Sequence, residues 1–221
     1  GSTFGAFLRQ RGGDYYTEDG THSALDTPEA YQAFKEWTEL YTNYGMPVSI
    51  NFFNRIRTGT TPIGIGGYDL YMKLLVAAPE LLGKWGVALM PGYEKPDGKI
   101  DRSAVGGATG QAVMILEQSK NCEEAWEFLK WWTSKDTQVM YGREIEALLG
   151  PEARWNTSNM EAFDSLPWKK EDIEIIKEQW KWNKEQPIVP GGYFTGRHLT
   201  NAFTRTVMAG VSPRDSLEQA V

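Results

Sequence analysis

A short apolar run followed by a helix with a clear start is the feature that most constrains how this chain folds. Residues 112–116, AVMIL, lie between glycines and the polar segment 117–119, a pattern typical of a buried strand. Asn121 is a favourable N-cap, and Glu124 lies three residues further on, where its carboxylate could complete a capping box. The sequence therefore predicts a helix from about Cys122, and the strand, turn and helix order indicates α/β packing.

The predicted helix has an amphipathic pattern. Its apolar residues recur at the spacing of one helical face, so we expect a buried stripe formed by Ala125, Phe128, Leu129 and Trp132. The opposite face carries Glu123, Glu127 and Lys130. The three tryptophans at 126, 131 and 132 are expected to contribute packing rather than a binding site.

The rest of the chain alternates predicted helices with short strands. Helices are predicted over 28–44, 135–149, 169–185 and 197–209, with a last one starting at Ser212. In the first of these, Thr27 is the N-cap, Pro28 takes the first helical position, and the buried stripe is predicted to be Ala30, Ala33, Phe34, Trp37, Tyr41 and Tyr44. A strand is predicted at 60–66, and Gly92–Asp101 has the composition of a turn-rich connector.

Charge and cysteine content exclude several classes of protein. The formal charge of the 221 residues is -6 and no Lys/Arg run exceeds two, which makes nucleic acid an unexpected partner. The single cysteine, Cys122, has no partner for an internal disulfide and is expected to be a partly buried thiol. No apolar stretch reaches the roughly 18 residues that a transmembrane helix needs.

A search for catalytic motifs finds none. The two histidines, His22 and His198, lack the spacing of a zinc-binding helix, so neither a metal nor any other cofactor is expected. The glycines at 64–67 do not continue into a phosphate-binding pattern, and the chain contains no G-x-S-x-G string. Residues 156–158 match a glycosylation sequon, which we interpret as a capped loop.

The order of several segments resembles one family, the bacterial extracellular solute-binding proteins of ABC importers, which includes the maltose-binding protein. The resemblance rests on a glycine pair, an apolar strand, a Ser-Lys-Asn turn and the string AWEFLKWWTS in residues 106–134. It is supported by TTPIGIGGY at 60–68, KWGVALMPG at 84–92 and LDTPEA at 25–30. These matches are specific in combination and weak singly.

The resemblance implies a periplasmic-binding-protein-like α/β fold of type II, truncated at the N-terminus. We expect residues 1–95 to begin the C-terminal lobe, 96–150 to belong to the other lobe, and 151–221 to return to the first. Gly1-Ser2 resembles a remnant of cloning, so the chain is expected to be a domain of a longer protein. Hinges are expected near Gly92–Asp101 and Gly150–Pro151.

Aromatic residues make up 13% of the chain and suggest a carbohydrate site, because sugar rings pair flat C–H faces with hydroxyl groups. Tyr68, Asp69 and Tyr71 offer a ring and a carboxylate just after a predicted strand. In the resembling family this turn supplies a ring that stacks on the ligand. Asp69 stands where the family usually has Trp, so either tyrosine could be the aligned aromatic.

Three further segments fall where the family's ligand contacts lie. Tyr193 and Arg197 lead into a helix whose N-terminus can face a polar ligand. Arg154, Trp155 and Asn156 combine a donor, a ring and an amide; we select Trp155, although structural packing explains it equally well. Gly107 and Thr109, together with Gly106, would line the floor of the cleft if the inserted strand docks as in the family. The string at 51–55 could be a cleft wall or a lobe surface.

The resemblance implies a monomeric protein that captures a small solute, with a sugar or oligosaccharide favoured, in an interlobe cleft and performs no chemistry. Its partners would be ABC permease subunits, and its location extracellular or periplasmic with a lipid anchor. Two alternatives stay open: a noncatalytic interaction domain of a large cell-surface protein, and a carbohydrate-active enzyme. The enzyme would need two facing carboxylates, for which Asp69 with Glu144 or Asp164 are candidates.

Overall fold

The computed structural model of the protein describes residues 2–105 and 112–221. Within these ranges the helices are α1 (Ser2–Gln10), α2 (Pro28–Thr42), α3 (Phe52–Arg57), α4 (Tyr68–Ala77), α5 (Cys122–Thr133), α6 (Lys135–Leu149), α7 (Met160–Phe163), α8 (Lys170–Trp180), α9 (Gly192–Ala209) and α10 (Pro213–Glu218). Short 3₁₀ turns lie at Pro79–Leu81 and Pro151–Ala153. The strands are β1 (Tyr93–Glu94), β2 (Ile100–Asp101), β3 (Ala104–Val105) and β4 (Asn183–Lys184).

The strands form two small pairs. β1 and β2 pair antiparallel with Tyr93 opposite Asp101, and β3 pairs parallel with β4 through Ala104 and Asn183. The chain as a whole divides into two compact units. Unit 1 contains 1–51, 88–108 and 177–221, and unit 2 contains 52–87 and 109–176. The lobes predicted from the sequence, with boundaries at 95/96 and 150/151, refer to a longer protein and stay a prediction. The two units differ from them, because they are defined only by contacts within this chain.

Unit 1 has a continuous hydrophobic core built from α1, α2, α9 and α10. The largest side chains at its centre are Phe4, Phe34 and Trp37, whose rings lie 5.6–5.9 Å apart. Burying large aromatic rings in this way removes much apolar surface from water, which stabilises the unit. The rest of the buried set is Leu8, Tyr15, Leu25, Ala30, Ala33, Leu199, Ala202 and Leu217.

The cap that starts α2 is formed as the sequence predicts. The Thr27 hydroxyl accepts a hydrogen bond from the backbone N–H of Ala30, Pro28 occupies the first turn, and Gly45 follows the helix with φ of 67°. The predicted buried stripe is confirmed for Ala30, Ala33, Phe34 and Trp37, while Tyr41 is partly buried against the core. Tyr44 was predicted wrongly: it lies beyond the helix end and is 80% exposed.

A hairpin turn in unit 1 is centred on Asp19-Gly20. Tyr16 and Ser23 form an antiparallel bridge on either side of it, and Gly20 has φ of 69°, a conformation that favours glycine. Asp19 accepts hydrogen bonds from the Thr17 and Thr21 hydroxyls and from the Thr21 backbone N–H, and these lower its pKa to about 2. The turn is therefore fixed by its own side chains.

Unit 2 has a smaller core around Phe163 and Trp168. Their ring centroids lie 5.0 Å apart, and α4, α7 and the start of α8 supply the surrounding apolar side chains. The buried hydrophobic residues of this unit are Tyr71, Met72, Leu74, Ala78, Ala162, Phe163, Leu166, Trp168 and Ile173. All four strands of the described residues belong to unit 1, so unit 2 is helical wherever it has regular structure.

The predicted strands in unit 2 are wrong for this structure. Residues 61–67 and 112–116 carry no strand assignment, and most of their apolar side chains are exposed. A strand needs a neighbour to accept its backbone hydrogen bonds, and the described residues offer none to either segment. An apolar run is therefore necessary for a buried strand but does not produce one by itself.

Helix α5 begins at Cys122 as predicted, but its apolar stripe is not buried. Ala125, Leu129 and Trp132 are half-buried, Phe128 is exposed, and no residue of the helix is fully buried. Asn121 forms no side-chain cap. Cys122 is exposed rather than partly buried. Within the described residues, no helix has both the length and the apolarity required to cross a membrane.

Candidate ligand-binding site

Two of the residues predicted to bind a ligand, Tyr68 and Tyr71, meet at Trp168 in unit 2. Both lie in the first turn of α4, and each ring centroid lies 5.2 Å from that of Trp168. The Tyr71 ring is also 5.1 Å from that of Trp85. Trp168 is not among the site residues predicted from the sequence, although its position just before an amphipathic helix marks it as a candidate for packing beside the site.

The phenols of these two tyrosines bond to the protein itself. The Tyr71 hydroxyl donates to a carboxylate oxygen of Asp172 at 2.7 Å, and the Tyr68 hydroxyl donates to the carbonyl oxygen of Arg154 at 2.6 Å. Burial raises the pKa of Tyr68 to about 12, and burial together with the Asp172 hydrogen bond raises the pKa of Tyr71 further. Tyr71 is only 9% exposed. Their ligand role stays a prediction, and in this structure both rings contribute packing.

Arg154 links this aromatic group to α6. Its guanidinium donates two hydrogen bonds to Glu146, at 3.0 and 2.6 Å, and lies 5.6 Å from the centre of the Trp168 ring. The hydrogen bonds to Glu146 raise the pKa of Arg154 above its ordinary value. Because the Nε and Nη2 groups of Arg154 both bond to Glu146, this two-point pairing helps to order the loop after α6.

Trp155 belongs to a separate aromatic group at the α5–α6 junction. Its ring contacts Trp132 and Tyr141, and its indole N–H donates to the side-chain oxygen of Gln138 at 2.7 Å. The same oxygen accepts from the Thr157 hydroxyl, and the Gln138 amide donates to the carbonyl oxygen of Trp132. Trp155 is half-buried, and its indole N–H is already hydrogen-bonded to Gln138.

Asp69 is exposed in the first turn of α4, where a carboxylate interacts favourably with the positive end of the helix dipole. Gly106, Gly107 and Thr109 lie outside the described residues. Among the residues that the structure does describe, no group of three or more His, Cys, Asp or Glu side chains could hold a metal ion.

In unit 1 the structure brings Tyr193 and Arg197 to the start of α9 with open access to solvent. Tyr193 is 77% exposed, and its ring meets the exposed ring of Phe194 edge to face at 5.6 Å. Arg197 is exposed one turn further along the helix. The helix begins five residues before the predicted start at residue 197, so that Tyr193, Phe194 and Arg197 all lie on its first two turns.

Tyr16 anchors the first turn of α9 to the hairpin at Asp19-Gly20. The Tyr16 hydroxyl donates a 2.8 Å hydrogen bond to the Thr195 hydroxyl, and Gly191 starts the helix with φ of 81°. The first turn of α9 has no acidic side chain. Two solvent-facing rings beside a guanidinium and the positive end of an 18-residue helix can hold a flat, hydroxyl-rich ligand.

Comparison with solved structures identifies the fold. The chain matches a solute-binding protein of an ABC transporter from Thermotoga lettingae TMO, bound with α-D-tagatose, with a TM-score of 0.71 and 23% identity over 99% of this chain and 54% of that one. It matches the maltose-binding periplasmic protein of Listeria monocytogenes, in complex with maltose, with a TM-score of 0.71 and 18% identity over 98% of this chain and 55% of that one. It matches MalX of Streptococcus pneumoniae, in complex with maltopentaose, with a TM-score of 0.67 and 18% identity over 98% of this chain and 56% of that one.

These structures define the class as a periplasmic-binding-protein-like α/β fold, and the chain spans about half the length of each. The model of the bacterial extracellular solute-binding protein family matches residues 1–139, well over half of the sequence. The chain therefore belongs to the bacterial extracellular solute-binding protein family. A search of curated protein sequences finds no match.

Proposed function

We propose that this chain is part of a solute-binding protein that captures a sugar or oligosaccharide for an ABC importer. Membership of the extracellular solute-binding family supports this proposal, as do the sugars bound to the three similar structures. The observation that carries it is the exposed pair Tyr193 and Phe194 beside Arg197 at the start of α9. Exposed rings of this kind leave their apolar faces free for the C–H faces of a sugar.

The proposed mechanism is capture in a cleft between two lobes of the longer protein, followed by closure about the hinges predicted near 92–101 and 150–151. Closure would be driven by higher affinity of the sugar for the closed state. The permease subunits, an extracellular or periplasmic location and a lipid anchor follow from the same proposal. Finding the gene beside two permease genes would support the importer role.

The direct test is ligand-observed NMR and calorimetry on the chain with tagatose, maltose and maltopentaose. On this proposal the opposing lobe belongs to the longer protein, so we expect weak binding at most by this chain, and binding should be lost in Tyr193→Ala and Arg197→Ala. Tyr44→Ala is the matched control, because Tyr44 is equally exposed in the same unit but lies far from α9 in sequence. Equal effects of Tyr44→Ala and Tyr193→Ala would contradict the site.

Two other outcomes would overturn parts of the proposal. Full affinity for a sugar by the isolated chain would contradict the view that it supplies half of a site. Release of reducing sugar from maltopentaose would contradict a binding role and favour the alternative of a carbohydrate-active enzyme.

A further inference from the structure

The first turn of α9 is held from outside the helix rather than by a side-chain cap of its own. Gly191 precedes the helix and has no side chain that could accept a hydrogen bond from the first N–H groups. The Tyr16 hydroxyl instead donates to the Thr195 hydroxyl at 2.8 Å. Both residues belong to unit 1, and both are half-buried. The start of α9 is therefore tied to a residue 179 positions earlier in the chain.

A second contact joins the same hairpin to the same helix. Val189, in the loop before α9, lies between the turn of the hairpin and the first residue of the helix. A Cβ on Gly20 would lie 3.4 Å from one Val189 methyl carbon, and a Cβ on Gly192 would lie 3.6 Å from the other. The Cβ on Gly192 would also lie 3.5 Å from the Tyr16 hydroxyl oxygen. The hairpin thus contacts both the loop and the first turn that follows it.

The hairpin is a firm support for α9 because it is attached to the core. Tyr15 is 1% exposed in the core of unit 1, so its neighbour Tyr16 cannot shift without disturbing close packing. On the other side of Tyr16, the Thr17 hydroxyl donates to Asp19 and accepts from the backbone N–H of His22. The position of the Tyr16 hydroxyl is therefore determined by core packing and by the turn.

Helical geometry connects this support to the candidate site. Successive residues of an α-helix are rotated by about 100°, so residues two apart face nearly opposite ways and residues four apart share a face. Thr195 faces the hairpin, so Tyr193 and Arg197 point away from it, in agreement with their exposure. We propose that Tyr16 is a positioning residue for the sugar site. Its hydrogen bond to Thr195 fixes the first turn of α9, and with it the directions of the Tyr193 and Arg197 side chains. This inference rests on the proposed function.

Sugar affinities of a set of variants test the proposal, with tagatose, maltose and maltopentaose as probes in ligand-observed NMR. Tyr16→Phe and Thr195→Val each remove the hydrogen bond, and each should weaken binding by about 3–10-fold. The double variant should lose no more than either single variant, because all three lack the same bond. Thr195→Ser keeps the hydroxyl and should bind like the parent chain.

Tyr41→Phe is the matched control. Tyr41 is also partly buried against the core of unit 1, and its ring lies 4.9 Å from that of Phe203, further along α9. Its hydroxyl makes no hydrogen bond to the described residues, so Tyr41→Phe should bind sugar like the parent chain. Equal losses in Tyr41→Phe and Tyr16→Phe, or a loss in Thr195→Ser as large as that in Thr195→Val, would overturn the proposal.

Hydrogen–deuterium exchange tests the tether without a sugar. Tyr16→Phe should speed the exchange of the amides of 194–198 by about 3–10-fold and leave those of 30–38 in α2 unchanged. The proposal is overturned if exchange at 194–198 is the same as in the parent chain, or if it quickens while sugar affinity stays the same. If the parent chain binds none of the three sugars, the proposed function fails and this role of Tyr16 fails with it. Unchanged exchange in a chain that does bind sugar contradicts only the role of Tyr16.

Discussion

The Tyr71 hydroxyl donates a 2.7 Å hydrogen bond to the Asp172 carboxylate, and both residues are buried in unit 2. This contact joins the first turn of α4 to the first turn of α8. A buried carboxylate is costly unless it accepts hydrogen bonds, so the phenol offsets part of the cost of burying Asp172. Tyr71, which the sequence suggested as a ligand contact, therefore stabilises the fold in this chain.

Replacing Tyr71 with phenylalanine should destabilise the protein by about 1–3 kcal/mol, because the ring stays but the Asp172 carboxylate loses a buried donor. Urea unfolding followed by far-ultraviolet circular dichroism measures this change. Tyr193→Phe is the control, since Tyr193 is exposed, and should leave the midpoint unchanged. If Tyr71→Phe unfolds at the same urea concentration as the parent chain, Tyr71 does not support Asp172.

The buried ion pair between Arg154 and Glu146 should contribute more to stability than an exposed ion pair does. Their side chains are only 10% and 15% exposed and share two hydrogen bonds, so Glu146→Gln should cost about 2–3 kcal/mol of unfolding free energy. The solvent-exposed pair Arg214 and Glu218 is the comparison, and Glu218→Gln should have no measurable effect. Equal losses in both variants would show that burial does not distinguish the pairs.

Two helical glycines should respond in opposite directions to alanine. A Cβ on Gly5 would lie 2.5 Å from a Val105 methyl carbon and 2.6 Å from the Tyr15 hydroxyl oxygen, so Gly5→Ala should destabilise the protein by about 1–3 kcal/mol. A Cβ on Gly196 in α9 meets nothing within 4 Å, so Gly196→Ala should stabilise it by about 0.5–1 kcal/mol. Thermal unfolding of both variants tests this, and a loss of stability in Gly196→Ala would contradict the open surface at the start of α9.

The helices could be predicted because their signals are local. The predicted range 135–149 agrees with α6 at both ends, and Ser212 caps α10 through the backbone N–H of Asp215 as its sequence indicates. Each of these features depends on residues within one or two turns. The cap at Asn121 failed even so, since its backbone adopts φ of -127° and ψ of 51° and its side chain makes no cap bond.

The strands and the candidate site could not be predicted in the same way, because both depend on distant residues. Residues 112–116 have a strand pattern, but pairing requires a neighbour that their own sequence cannot supply. Tyr71 looked available next to Asp69, yet Trp168 and Asp172, about a hundred residues further along, decide its burial. The prediction that Tyr193 and Arg197 bind a ligand depended only on local signals, a loop followed by the start of a helix. The structure leaves both side chains exposed.

Stability should fall at alkaline pH because buried tyrosines must ionise on unfolding. Burial raises the pKa of Tyr15 and of Tyr68 to about 12, against about 10 in an unfolded chain. Below about pH 10 the phenol is neutral in both the folded and the unfolded state, so burying these tyrosines carries no cost of ionisation and their contribution to stability is fully present. Between about pH 10 and 12 the unfolded chain binds fewer protons, so the unfolding free energy falls as pH rises, by on the order of 2–3 kcal/mol for the almost fully buried Tyr15.

Urea unfolding at neutral pH and at a series of values above pH 10 measures this slope, and Tyr15→Phe isolates the contribution of one residue. The variant should lose less unfolding free energy than the parent chain over that range, because it has one fewer phenol to ionise. Tyr44→Phe is the control, since an exposed phenol has nearly the same surroundings in the folded and unfolded states. Parallel stability curves for the parent chain and Tyr15→Phe would show that the burial of Tyr15 is not linked to its ionisation.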